Sequence, residues 1–260
     1  MLSVVPGCSR YRLFKQCVRS RVSPVKPNND TSSRHDATPH RPGCDVTSVA
    51  VNVVVFLHQV SLPPAQAEAF VRLYGLVPAK IQLALAGRHY SLADALIPLF
   101  TSMFLHGGWL HIIGNMWFLW IFGANVEERL GSLGYLLFYL VCGISSGLIQ
   151  TVFSWGSHLP GIGASGAISG ILGAYIVFFP SSRILTLIPL FIIWFTWQIP
   201  AMVFIGLWFL VQFISGIGSL NDPRAAALGG VAWWAHVGGF LTGMLLARII
   251  RPAERRAIYN

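Results

Sequence analysis

Ser165 stands between glycines in Gly163-Ala164-Ser165-Gly166, at the head of the apolar run Ala167 to Phe179. About seventy residues later, His236 stands in Ala235-His236-Val237-Gly238-Gly239, near the head of another apolar run. A hydroxyl nucleophile and an imidazole base are the minimum for acyl-transfer chemistry. His111 and Asn115, four residues apart in an earlier apolar segment, add two polar side chains. Ionisable and polar groups inside lipid are costly and mark function by default, so the elements that carry these four residues decide what they can do.

The chain has 260 residues, 54% hydrophobic and 10% charged, with mean hydropathy +0.62. A soluble domain would carry roughly 25% charged residues. Eight of the eighteen Lys and Arg precede residue 45 and four follow residue 247, so the middle is almost uncharged. This is the composition of an integral membrane protein with basic ends. A nucleic-acid surface needs a basic patch on a polar folded face, and the middle of the chain offers little of one, so no nucleic-acid partner is expected. Cys8, Cys17 and Cys44 lie in the N-terminal tail and Cys142 in an apolar span, without CxxC or metal-type spacing. Neither a disulfide framework nor a zinc site follows, and Cys142 reads as a small buried apolar residue.

A helix needs about 20 apolar residues to cross the bilayer core. Candidate spans are 46–62, 109–126, 135–153, 165–179, 199–217 and 231–250, six in all. A further apolar stretch, 184–197, contains Pro189 and lies between Pro180 and Pro200. It is expected as an interfacial hairpin or a re-entrant segment, not a seventh span. With both termini inside, the inner segments hold fourteen Lys/Arg and the outer ones four, namely Arg72, Lys80, Arg88 and Arg224. That asymmetry matches the positive-inside rule. Residues 1–44 read as a disordered basic tail, 45–251 as the membrane domain and 252–260 as a C-terminal tail. The tail is rich in Arg and Ser and poor in acids, as a targeting peptide would be; a start assigned too far upstream would look the same. Residues 63 to about 102 mix Leu and Val with Arg72, Lys80 and Arg88, as amphipathic helices lying along an interface do.

In this topology the second, fourth and sixth spans enter from the outer side. They bring His111, Asn115, Ser165 and His236 to one depth, where buried polar groups can partner one another. The fourth span is short: Ser165 to Phe179 covers about 22 Å against a core of about 30 Å. Ser165 is therefore expected on the floor of a cavity that water can reach. Gly166 and Gly170 on one helix and Gly239 and Gly243 on the other form small-xxx-small faces that permit close backbone contact. His236 lies three residues before Gly239, on nearly the same side. Those glycines could serve packing alone, and Ser165 could be a helix N-cap.

Taken together, these motifs resemble the rhomboid family of intramembrane serine proteases over about residues 45–250. The resemblance rests on Gly163-x-Ser165-Gly166, His111-x-x-x-Asn115 and Ala235-His236-x-x-Gly239-x-x-x-Gly243. Asn125-Val126-Glu127-Glu128-Arg129-Leu130-Gly131 and Phe104-Leu105-His106 resemble the end and the entry of the family's second span. The resemblance implies an all-α membrane protein, a six-helix bundle with an interfacial loop between its first two helices. It implies Ser165 as nucleophile and His236 as general base, a dyad with no carboxylate. It also implies an oxyanion hole of the Ser165 N–H and the side chains of His111 and Asn115. Gly163, Gly166, Gly170, Gly239 and Gly243 are carried over as packing residues, His106 as a structural hydrogen-bonder, and Glu127 as an anchor of the inter-helix loop region. One position departs from the pattern. Some relatives place an aromatic residue one turn after the nucleophile, stacked on the imidazole, and this chain has Ser169.

The activity implied is endoproteolysis of single-pass transmembrane proteins within or next to their spans, with no metal and no cofactor. A non-catalytic client-binding relative would usually lack the serine or the histidine, and both are here. A transporter would need polar groups along the inner halves of the spans, which are Leu, Ile, Phe and Trp. A zinc protease would need HExxH, which is missing. The lack of a further apolar span before residue 45 or after 250 resembles the six-span bacterial form. The expected location is therefore a bacterial cytoplasmic (inner) membrane, with both termini cytoplasmic.

Overall fold

A computed structural model describes residues 43–190, 193–221 and 231–250. Arg224, most of the N-terminal tail with Cys8 and Cys17, and residues 251–260 lie outside the described residues. The chain divides into two compact units. The first, in its described part, is a ribbon of two strands, β1 (Arg183–Leu190) and β2 (Ile193–Pro200). Two residues separate the strands, and parallel pairing would need a crossover of about a dozen, so the ribbon is antiparallel. Residues 184–197, expected as an interfacial hairpin or re-entrant segment, are thus a hairpin built from strands.

The second unit is helical. It comprises α1 (Cys44–Ser61), α2 (Pro64–Tyr74), α3 (Pro78–Leu85), α4 (Leu92–Thr101), α5 (Trp109–Phe118), α6 (Ala124–Leu130), α7 (Ser132–Phe153), α8 (Ser165–Phe178), α9 (Ala201–Asn221) and α10 (Trp233–Ile249). Every predicted span has a helix within a few residues of its expected limits. The tail boundary moves slightly, because α1 begins at Cys44. Among the described residues three helices, α1, α7 and α9, are long and apolar enough to cross a bilayer alone. The segments Leu92–Phe104 and Trp109–Leu130, bent by 79° at a short break, make a fourth crossing if they count as one. The molecule is an integral, multi-pass helical membrane protein.

At the centre is α8, buried continuously from Gly166 to Tyr175. A helix that is apolar all round belongs inside a bundle, and α8 packs against α5, α6, α7, α9 and α10. Its 14 residues rise about 21 Å, so it is the short helix the sequence predicts.

The expected interfacial loop is three helices with a core of their own, formed by Leu76, Ile81, Ala84, Ala95 and Leu99 with Ile144 of α7 against it. Ser91 starts α4 with a capping box, accepting the Asp94 N–H while the Asp94 carboxylate accepts the Ser91 N–H. Where α5 meets α6, Leu119–Gly123 form one π-type turn. Leu119 and Phe122 are fully buried there, and the turn faces α1 and α8.

Glu127 ties three elements together. Its carboxylate accepts the N–H groups of Gly43, Cys44 and Asp45 at 3.0, 3.1 and 2.9 Å, and the Ser132 hydroxyl at 2.5 Å. The first N–H groups of a helix lack intrahelical partners. A fully buried glutamate from α6 therefore caps α1 and pins the start of α7.

Candidate active site

The most extensive helix contact in the molecule is α8 against α10, and glycine makes it close. A β-carbon on Gly239 would overlap the Gly166 carbonyl oxygen, and one on Gly243 the Gly170 carbonyl oxygen. Helix α8 also meets α7, where a β-carbon on Gly170 would come within 2.5 Å of the Cys142 side chain. Cys142 is a fully buried packing residue, as expected. At the head of α10, the Gln150 Oε1 of α7 accepts the Ala235 N–H at 3.0 Å. Trp234 stacks on Phe153 with ring centroids 3.8 Å apart. The residue just before His236 is thus held from outside its own helix.

This packing brings His236 Nε2 to 2.8 Å from Ser165 Oγ. Ser165 is not the helix cap. Ala164 holds that position, and Ser165 is the first helical residue, half-buried, with its hydroxyl turned to the imidazole. The other imidazole nitrogen, Nδ1, lies 2.7 Å from Gln212 Oε1 on α9. The aromatic contact that Ser169 cannot supply comes from α9 as well. Trp208 lies 5.8 Å from the His236 ring, centroid to centroid, at a tilt of 36°. Ser169 instead donates to the Ser165 carbonyl at 2.6 Å, so its hydroxyl is committed within α8 and away from the dyad.

His111 and Asn115 converge on Gly163, two residues before the serine. A β-carbon there would lie 2.8 Å from His111 Nε2 and 3.6 Å from Asn115 Nδ2. Gly163 also has φ +129°, a conformation that side chains disfavour, so glycine is required twice over. The Gly107 N–H reaches His111 Nδ1 at 3.2 Å. That bond makes Nδ1 the acceptor and leaves the proton on Nε2, the nitrogen facing Gly163. Asn115 is buried, and its Nδ2 has no hydrogen-bond partner among the described residues. A buried amide donor without an acceptor is costly, and a negative oxygen formed at this place would supply one.

The segment leading into Ser165 is held by the helices of the interfacial loop. Leu76 and Gly161 exchange backbone hydrogen bonds of 3.0 and 2.7 Å, Ala79 donates to Ser157 at 2.9 Å, and Gly163 donates to Ser102 at 2.9 Å. Next to Ser165 lies a cavity of about 40 Å³, with Ser102, Ser146 and Gln150 among its lining. Its walls are partly polar, and it exceeds the space a water molecule needs. His106 lies behind His111, ring to ring at 5.1 Å. Its backbone is bracketed by the Gln59 carboxamide, which donates to the His106 carbonyl at 2.7 Å and accepts its N–H at 3.3 Å.

The structure describes the positions of all eleven residues singled out from the sequence. Nine surround Ser165, directly or through the α8–α10 contact. His106 lies behind them, with neither ring nitrogen hydrogen-bonded among the described residues, so the hydrogen bonds expected of it run through its backbone to Gln59; Glu127 sits apart at the start of α1. Sequence reading missed Gln212, Trp208, Gln150 and Gln59. Gln212 was detectable, because a carboxamide in the middle of an apolar span needs a buried partner.

A Rhomboid domain family model matches residues 93–253. RHOMBOID-like protein 1 of Arabidopsis thaliana is 33% identical over 156 residues, covering 59% of this chain and 35% of that protein. Rhomboid protein 1, mitochondrial, of Saccharomyces cerevisiae is 29% identical over 164 residues, covering 62% of this chain and 43% of that protein. Rhomboid protease GluP of Bacillus subtilis is 42% identical over 85 residues, 33% of this chain and 16% of that protein. The chain thus spans less than half the length of each of these relatives.

Proposed function

The chain belongs to the rhomboid family, and from that premise we propose that it is a serine endopeptidase that cuts other membrane proteins within or beside their spans. The observation that carries this reading is the 2.8 Å contact between Ser165 Oγ and His236 Nε2. It is supported by the Asn115 donor left without an acceptor among the described residues, and one of the relatives is named as a protease.

Ser165 Oγ attacks the scissile carbonyl carbon while His236 Nε2 takes its proton. The carbonyl oxygen becomes an oxyanion within reach of three donors: His111 Nε2–H, Asn115 Nδ2–H and the Ser165 N–H. The last has no intrahelical acceptor, because Ser165 is the first residue of its helix. Collapse of the tetrahedral species breaks the C–N bond as His236 returns the proton to the leaving amine. Water, admitted at the outer side, then repeats the sequence on the acyl-enzyme with His236 again as base. A substrate helix must unwind to present its carbonyl, so helix-breaking residues near a small cleavage-site side chain are the favoured substrate feature.

In this reading α8 and α10 also cross the bilayer, giving six crossings. The basic tails, residues 1–44 and 252–260, face the cytoplasm, and the site opens to the outside. This orientation rests on the Lys/Arg asymmetry.

The test is labelling of the purified, detergent-solubilised protein with a fluorophosphonate probe, alongside cleavage of a model single-pass substrate. Wild type is expected to label and cleave, and Ser165→Ala and His236→Ala to do neither. Cleavage or labelling that survives Ser165→Ala overturns the assignment. Client binding without either activity in the wild type would mark a non-catalytic member instead.

A further inference from the structure

We propose that Gln212 is the positioning residue of this site: its side-chain oxygen, aimed by the backbone of its own helix, selects the imidazole tautomer in which His236 can act as base. The inference rests on the Ser165–His236 reading and extends it to a third side chain.

A neutral imidazole carries one proton, and the two tautomers have opposite consequences here. With the proton on Nδ1, the Nε2 lone pair faces Ser165 Oγ and can accept its hydrogen. With the proton on Nε2, the imidazole would itself donate to Oγ and could not activate it. Only the partner at Nδ1 distinguishes the two. That partner is Gln212, 2.7 Å away and buried.

A carboxamide can present either an oxygen or an NH₂ group, so its own orientation has to be fixed. Gln212 Nε2 donates to the Trp208 carbonyl one turn earlier on α9, at 3.3 Å. A carbonyl only accepts, so the NH₂ end belongs on Trp208 and the oxygen end on His236. Turning the amide over would set its oxygen against the Trp208 carbonyl oxygen and lose that bond, so the flipped amide, which would favour the other tautomer, is disfavoured. The chain of constraint runs from the Trp208 carbonyl to the Gln212 amide, to the proton on Nδ1, to the lone pair on Nε2. Trp208 contributes twice, because its indole also lies beside the His236 ring.

The choice of a carboxamide follows from depth. An ionised carboxylate in this apolar helix would bear a large desolvation cost. A glutamine oxygen orients the imidazole without adding a charge. It also stabilises the imidazolium of the transition state less than a carboxylate does, consistent with a site that relies on its oxyanion donors.

The experiment compares full-length wild type with Gln212→Leu, which keeps bulk and removes the acceptor, and Gln212→Glu, which keeps an oxygen. The readouts are the rate of Ser165 labelling by a fluorophosphonate, kcat and KM on a model transmembrane substrate, and the ¹⁵N chemical shifts of the His236 ring in histidine-labelled protein. Gln212→Leu is expected to slow labelling and lower kcat by at least roughly 10-fold, between the cost of losing a hydrogen-bonded partner of a metal-bound histidine (about 10–100-fold) and that of losing a carboxylate partner (about 10⁴-fold), with KM unchanged. Gln212→Glu, neutral at this depth, can donate its O–H to the Trp208 carbonyl and accept from Nδ1 through its C=O, and is expected to recover most of that loss. In wild type the ¹⁵N shifts should report protonated Nδ1, and in Gln212→Leu a mixture. Labelling of Gln212→Leu at the wild-type rate, or a wild-type spectrum with the proton on Nε2, overturns the proposal. Should Gln212→Leu not fold, the wild-type spectrum decides alone. Failure of the underlying reading looks different: the wild type would not label, or Ser165→Ala would.

Discussion

Replacing Gly239 with alanine tests whether backbone contact between α8 and α10 sets the catalytic distance. The added β-carbon would overlap the Gly166 carbonyl oxygen and lie 2.9 Å from its carbon and 3.5 Å from its Cα. These are backbone atoms in the buried stretch of α8, so no flexible side chain can yield. Restoring carbon–carbon contacts of roughly 3.5–4.0 Å requires the helices to part by about 1 Å. Gly166 is the residue after Ser165, and Gly239 lies one turn after His236. The separation therefore passes almost undiminished to the 2.8 Å contact between them. At about 3.5–4 Å the hydrogen bond is gone, and a misplacement of about 1 Å in a catalytic group costs roughly 10²-fold in rate. Overpacking also destabilises by about 1–3 kcal/mol, so both must be measured. The assay is the fluorophosphonate labelling rate, with the unfolding temperature recorded in the same detergent. Gly206→Ala is the control, because a β-carbon at that position on α9 meets nothing within 4 Å. The expected result is a roughly hundredfold loss and a lowered Tm for Gly239→Ala, with the control close to wild type. A Gly239→Ala protein that labels within a few-fold of wild type would show that the glycine contact does not set the dyad.

Three further outcomes follow from other contacts. Asn115→Leu removes one oxyanion donor and should lower kcat/KM for a transmembrane substrate by about 10²–10³-fold with little effect on Tm; an unchanged rate would remove Asn115 from the site. Glu127→Ala leaves the first N–H groups of α1 without their acceptor and should cost at least about 2 kcal/mol in stability. Its labelling rate below the unfolding transition should stay near wild type, and a selective loss of labelling would contradict a purely structural role. Ser169→Ala deletes a hydroxyl bonded to the Ser165 carbonyl. It should change stability by about 1 kcal/mol and labelling by no more than a few-fold, whereas abolished labelling would mean that the wrong serine has been named.

Much of the candidate site was legible from local pattern. Residues such as His111 and Asn115, or Gly239 and Gly243, lie four apart, and a helix puts such positions on one face. Span positions followed from hydropathy because lipid requires each segment to satisfy its own backbone. The same reasoning could not anticipate the strand ribbon at 183–200. Apolar runs broken by proline mark the end of a helix without stating what replaces it. Ser165 as a possible N-cap was also open in the sequence, because cap and first turn differ by one residue. The hydroxyl contact with His236 resolved it.

The sequence by itself determined that this is a helical membrane protein carrying a serine, two histidines and an asparagine at helical spacings suited to one site. Helix periodicity and hydrophobic length depend only on neighbours along the chain. Tertiary structure decided what each group faces. Gln212 and His236 are 24 positions apart on separate helices, and the start of α1 meets a glutamate more than 80 residues away. Such pairings depend on how helices rotate and how closely glycine lets them approach. The protonation pattern of the imidazole depends on them in turn, because a tautomer is selected by whichever atom packing places against it.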